Sequence, residues 1–213
     1  MSIAKRIAVV SLSAVIALCL SITIAGSTAF AASDSSGAAK TKSAESSKKT
    51  GKSSKKPYRD GLAAYIRKVN PHVSKKKSKS MAGYFIKYGK KYKVSPRILM
   101  AMAQCESTFY SNAHNPAGYY GLMQTSASLG RRYAHVSSHK LYNPKYSIKT
   151  GAAYLHSNMK IFKNNYKKAI SGYCYGSGAV KAGRYRSGHA NRRIGISKKI
   201  KKYLKKHNYA TGS

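Results

Sequence analysis

The chain has 213 residues, with 41 Lys or Arg against 4 Asp or Glu, a formal net charge of +37 at pH 7. A field of that strength recruits polyanions and speeds encounter with them, while four acids leave almost no room for chemistry that needs carboxylates in pairs. Residues 1–31 read as a secretory signal. Lys5 and Arg6 supply the positive start, residues 7–24 are apolar apart from serines and a threonine, and Ala29-Phe30-Ala31 is a small-x-small cleavage site. The apolar stretch approaches the length of a membrane span, so an uncleaved anchor is the alternative. Gly26 and the Ala29/Ala31 pair favour processing, and Cys19 follows Leu18 rather than a small residue, which argues against a lipoprotein. The expected mature chain is extracytoplasmic, with no stable membrane insertion. The leader takes away two basic residues and no acid, leaving +35.

Residues 32–57 are Ser, Lys, Ala, Gly and Thr almost throughout. Nothing there buries enough apolar area to offset ordering entropy, so a disordered basic linker is expected. Its lysines, from Lys40 to Lys56, make it either a wall-binding arm or a plain solvated tether. Residues 58–80 form a helical lead-in. Asp60 is placed to cap a helix over 61–69 that Asn70-Pro71 closes, and a lysine-rich joint over 74–80 follows. Residues 81–213 form the main domain, and a monomer is expected.

Met81, Tyr84, Phe85, Tyr88 and Tyr92 recur at helical spacing. Ser95-Pro96 then starts a helix carrying Ile98, Leu99, Met102 and Ala103 to about Thr108. Residues 109–141 hold Asn, Gly, Ser, His and Pro without a sustained period and read as loops with short helical turns. Asn143-Pro144 and a Ser147 cap open a helix whose stripe is Ile148, Gly151, Ala152, Leu155, Met159 and Phe162. Residues 166–175 make another, ended by Gly176-Ser177-Gly178, and a basic loop over 181–193 precedes a terminal helix with Ile194, Ile200, Tyr203 and Leu204. The fold class is all-α, with room for a small irregular β element in the 110–140 region.

Asp34 and Glu45 fall in the linker and Asp60 at the domain's edge, which leaves Glu106 as the only carboxylate of the main domain. Leu99, Met102 and Ala103 precede it by seven, four and three residues, so Glu106 continues the apolar stripe of its helix. An acid on such a stripe is costly; a charge-balancing glutamate belongs on the solvated face. Burial would favour its neutral form, as a general acid requires, and most lysines should lie beyond a Debye length of roughly 8 Å. A single carboxylate excludes the usual two-carboxylate glycosidase. The missing group must then come from the substrate, as the amide oxygen of an N-acetyl sugar.

Four blocks share their order and spacing with a known family. They are Ser95-Pro96 through Gln104-Cys105-Glu106-Ser107; Asn115 with Gly118-Tyr119-Tyr120-Gly121-Leu122-Met123-Gln124; Asn143-Pro144, Ser147-Ile148 and Gly151-Ala152-Ala153-Tyr154-Leu155; and Gly172-Tyr173-Cys174-Tyr175-Gly176-Ser177-Gly178-Ala179-Val180. Together they resemble the catalytic domain of the lytic transglycosylases. The resemblance implies a lysozyme-like α fold with a groove for peptidoglycan glycan strands, no cofactor and no metal. Glu106 would protonate the glycosidic oxygen, the muramoyl acetamide would assist, and Glu106 would then deprotonate the 6-hydroxyl to close a 1,6-anhydro ring.

By the same resemblance, Ser107 orients Glu106, touches substrate or simply ends the helix. Met123 and Gln124 line the groove, with a core methionine as the alternative for Met123, and Tyr173 sets its hydroxyl beside Glu106, with core packing as its alternative. The family's Asn stands as Cys174 here and its small Ala as Tyr175. A Cys105–Cys174 disulfide would account for the first change, closing a loop of about 70 residues for roughly 4 kcal/mol; two free thiols are the alternative. His114, His135, His139 and His156 lie at no metal-ligand spacing with carboxylate or thiolate support. The basic surface and arm would meet anionic wall polymers rather than nucleic acid. Hydrolytic muramidase action, wall binding without turnover and a cationic membrane- or nucleic-acid-active protein are the competing readings. Exo or endo cutting and the physiological role are not legible.

Overall fold

A computed structural model describes residues 54–212. The leader and the linker as far as residue 53 lie outside the described residues. No helix among the described residues is long and apolar enough to cross a membrane.

The first helix, α1 (Tyr58–Val69), starts three residues earlier than the Asp60 cap implies. Pro57 precedes it, and Asp60 sits inside the first turn, where its charge meets the positive end of the helix and the Lys79 ammonium at 3.2 Å. The lysine-rich joint is not a joint. Ser74 accepts a hydrogen bond from the backbone N–H of Lys77 and caps α2 (Lys75–Lys91), so the expected helix begins six residues sooner. Lysines are good helix formers when solvated, but without apolar spacing they leave no periodicity to read.

The third helix, α3 (Pro96–Ser107), has Ser95 at its N-cap and Pro96 in its first turn, although the serine side chain makes no capping bond. Thr108 ends it in the left-handed conformation, φ 51°. The irregular region contains the small β element, three two-residue strands in antiparallel order: β1 (His114–Asn115), β2 (Tyr119–Tyr120) and β3 (Thr125–Ser126). One helical turn, α4 (Ala127–Leu129), and short π and 3-10 segments lead to α5 (Pro144–Ile161). Asn143, not Ser147, caps α5, accepting from the Lys145 N–H at 2.9 Å.

Helix α6 (Tyr166–Tyr175) has the expected bounds and a short α7 (Ser177–Lys181) follows. The terminal helix α8 (Gly188–Lys206) takes in the second half of the expected basic loop. The core is one cluster spanning α1 to α8, with Leu62, Phe85, Leu99, Met102, Met123, Ile148, Ile170 and Leu204 fully buried. Helix α8 closes the bundle by packing on α3, α6 and α1. The two ends of the described part meet: Lys56 and Tyr209 form a parallel backbone bridge, and Arg97 donates to the carbonyls of Thr211 and Gly212.

One glycine decides how the irregular region docks. Met123 lies in the slot that Gly151 of α5 leaves open, and a Cβ at Gly151 would stand 2.9 Å from Met123 Cβ and 2.7 Å from its Cε. Alanine normally stabilises a helix interior by up to about 1 kcal/mol over glycine. Here overpacking wins, and Gly151→Ala should cost about 1–3 kcal/mol, read as a lowered midpoint of thermal unfolding.

Candidate functional site

The stripe of α3 runs from full burial to partial exposure. Leu99, Met102 and Ala103 are inaccessible, while the Glu106 side chain, one residue before the helix ends, keeps 20% of its surface. What meets the carboxylate there is Arg193 of α8. Its Nη2 donates to Glu106 Oε1 at 2.5 Å, its Nη1 donates to the His189 carbonyl at 3.1 Å, and its side chain is only 6% exposed. Burial works against the Arg193 charge, but the Glu106 carboxylate outweighs it and holds the guanidinium firmly protonated. Burial set against remote lysines was therefore an incomplete account of Glu106. The decisive cation is a buried arginine in direct contact.

Arg193 was missed because it was placed in a loop. The signal was present: Arg193, Ile200 and Leu204 are spaced by seven and four residues, on one helical face, and all three are buried. An arginine on that stripe demands an anion, and the main domain offers one.

The loop beside Glu106 is held from three sides. Ser107 Oγ donates to the Leu122 carbonyl at 2.8 Å. Ser147, freed from capping, accepts at its Oγ from the Met123 N–H at 3.0 Å. The Tyr173 hydroxyl donates to the Met123 carbonyl at 2.7 Å. The side chain of Met123 is fully buried, so it does not line an open groove as expected; the vacancy over Gly151 draws it into the core. Gln124 has φ 44° and spends its amide within the loop. Its Nε2 donates to Ala113 and Gly121 carbonyls at 3.1 and 3.0 Å, and its Oε1 accepts from Asn115 at 3.3 Å.

Tyr173 packs its ring on Tyr154 at 5.0 Å, and its hydroxyl is committed to Met123 rather than to the carboxylate. Burial first, and then the negative charge of Glu106, push its pKa well above the ordinary tyrosine value. Ser107, Met123, Gln124 and Tyr173 are thus gathered with Glu106, mainly as a brace for the 121–124 loop.

Cys105 and Cys174 are both free thiols in this structure, the alternative to the disulfide. The helices that carry them, α3 and α6, both pack on α8, and the Arg193 guanidinium acts electrostatically on both thiols. Burial pushes Cys174 up to about 12 and raises Cys105 as well. Tyr175, the other departure, packs edge-on against His189 of α8 at 5.4 Å.

The histidines are dispersed. His114 stacks on Tyr120 at 5.0 Å, while His139 and His156 lie against Tyr142 and Tyr92 at 6.0 and 6.2 Å. No group of three or more His, Cys, Asp or Glu able to hold a metal occurs among the described residues.

The thiol state is directly measurable. Denatured but unreduced protein lacking residues 1–31 should titrate two thiols. In the native fold at pH 8 Cys174 should react at least about a hundredfold more slowly than an unperturbed cysteine, because the thiolate is the reactive form.

The sequence profile of the family described as Transglycosylase SLT domain matches residues 83–194, just over half of the chain. Among solved structures, similarity extends to an inactive mutant of the lytic transglycosylase Slt from Pseudomonas aeruginosa. That match has 22% identity and a TM-score of 0.47, covering 70% of this chain and 28% of that one. The 70-kDa soluble lytic transglycosylase of Escherichia coli matches at 22% identity and TM-score 0.48, over 72% of this chain and 30% of that one. A complex of the 70-kDa soluble lytic transglycosylase with bulgecin A matches at 22% and 0.48, over 67% and 29%. The chain spans less than a third of the length of these proteins.

Proposed function

The chain belongs to the Transglycosylase SLT domain family, and from that premise we propose that it is a peptidoglycan lytic transglycosylase with Glu106 as its single acid/base. The observation that carries the reading is the isolation of that carboxylate. Among the described residues the only other acid is Asp60, engaged by Lys79 on the α1–α2 face. A two-carboxylate glycosidase has no second group here.

The one-carboxylate cycle balances without water. Glu106 gives its proton to the glycosidic oxygen as the bond to C1 of the muramic sugar breaks, and the acetamide oxygen of that sugar bonds to C1 from the opposite face. The Glu106 carboxylate then takes the 6-hydroxyl proton, O6 attacks C1 and the acetamide leaves. The product ends in 1,6-anhydro-muramic acid, and Glu106 finishes protonated, as it began. The brace described above keeps the 121–124 backbone fixed beside the carboxylate while this happens.

Purified sacculi digested with the mature protein should release muropeptides ending in anhydro-muramic acid, one water lighter than hydrolysis products by mass spectrometry. Glu106→Gln should lower the yield by at least about a hundredfold. Reducing-end products would identify a muramidase instead. Glycan that is bound and never cut would support the second reading, a wall-binding protein, which is favoured by one observation: the Glu106 carboxylate is engaged in an ion pair with the buried Arg193.

The apolar N-terminal stretch with its small-x-small site supports a protein working outside the cytoplasm, and the net charge of +37 supports its being held, as a monomer, against anionic wall polymers. Sacculi should retain the mature protein in low salt and release it as salt rises, since screening shortens the reach of the attraction. Deleting residues 32–53 should lower the salt needed for release. Retention unchanged by both salt and deletion would remove the arm from the reading.

A further inference from the structure

Arg193 has one anion to answer to. Asp60 is engaged elsewhere by Lys79, so Glu106 is the only carboxylate among the described residues that reaches the buried guanidinium. The other groups around it are uncharged or cationic. Cys105 on α3 and Tyr173 and Cys174 on α6 are held in their neutral forms by burial, and Arg192 is its neighbour on α8. His189 offers only a backbone carbonyl, and Arg193 Nε is buried with no hydrogen-bond partner.

The reading above requires Glu106 to start each cycle carrying a proton. Protonating it would strand the Arg193 charge in the interior without a counter-ion, an arrangement that is strongly unfavourable. Among the described residues no second carboxylate reaches Arg193 to relieve this. The glycan brings several: acetamide carbonyls, hydroxyls and, where stem peptides are present, carboxylates. Resting on the transglycosylase reading, we propose that Arg193 is a positioning residue for the reaction. It holds the Glu106 carboxylate in a direct ion pair in the free protein, and it passes to an acceptor oxygen of the bound glycan. Glu106 then takes one proton from solvent, and its acid form appears only when glycan is in place.

The sequence allows a clean test. The chain contains two glutamates, Glu45 and Glu106, so mature protein made with glutamate carrying 13C at Cδ gives two carboxyl signals, assigned with Glu106→Gln. Two probes separate the sources of the acceptor. Chitotetraose offers acetamides and hydroxyls, whereas glycan oligomers bearing stem peptides add carboxylates. The Glu106 signal should move toward the carboxylic-acid position on binding at least one of them. Movement with chitotetraose assigns the acceptor to the sugar itself, and movement with the peptide-bearing oligomers alone assigns it to a carboxylate. In Arg193→Gln the signal should differ from wild type and lose its dependence on glycan. A wild-type signal unmoved by both probes while backbone amide shifts report binding overturns the proposal, as does a glycan response in Arg193→Gln equal to wild type.

Turnover supplies the second readout. Arg193→Gln should lose about tenfold or more in kcat on sacculi, while Arg193→Lys, which keeps a cation, recovers most of it. Thermal melts of both variants establish that they are folded. An unchanged or increased kcat in folded Arg193→Gln overturns the positioning role. Failure of the function reading looks different: wild-type protein would make no anhydro products while the glycan-dependent movement of the Glu106 signal persisted.

Discussion

Inside the domain, Glu106 and Arg193 neutralise each other, and nothing else among the described residues neutralises either. A chain with so few acids has no slack in this respect. Breaking a buried pair by removing one partner costs about 3–5 kcal/mol, although the partial exposure of Glu106 moderates the loss on that side. The pair fixes more than charge. It ties the last turn of α3 to the first turns of α8, and α8 in turn packs on α1, α3 and α6. The C-terminal helix is therefore part of the site and not merely a lid on the bundle.

The same economy governs the loop next to the carboxylate. Three hydroxyls, from Ser107, Ser147 and Tyr173, each satisfy a different backbone group of Leu122 or Met123. A buried backbone polar group left unpaired costs roughly what a lost hydrogen bond does, so this irregular segment can sit against the core only because those hydroxyls are there. Gln124 completes the arrangement by closing on its own loop. Ser107, Ser147, Gln124 and Tyr173 thus give the turn between β2 and β3 a definite shape.

How much of this was legible follows from the physics of each signal. The apolar stripes of α2, α3 and α5 are readable because burial imposes a helical period, and Glu106 stands out because it sits on such a stripe with no other acid near. The small β element was legible only as a loss of period. The starts of α1, α2 and α8 are not legible, since their first turns hold too few apolar side chains to show a helical period. That blindness hid Arg193. Met123 was misplaced toward the groove because its burial depends on the absence of a side chain at Gly151, a contact 28 residues away in sequence.

The backbone bridge between Lys56 and Tyr209 has a topological consequence. The two ends of the described part lie side by side, with residues 211 and 212 further clasped by Arg97. Closely spaced ends are what permit a domain to be transplanted into a host loop or circularly rearranged without distortion. This fold therefore behaves as a cassette: it can be spliced within another sequence, or relinked head to tail through a short connector, with its interior unaware of the change.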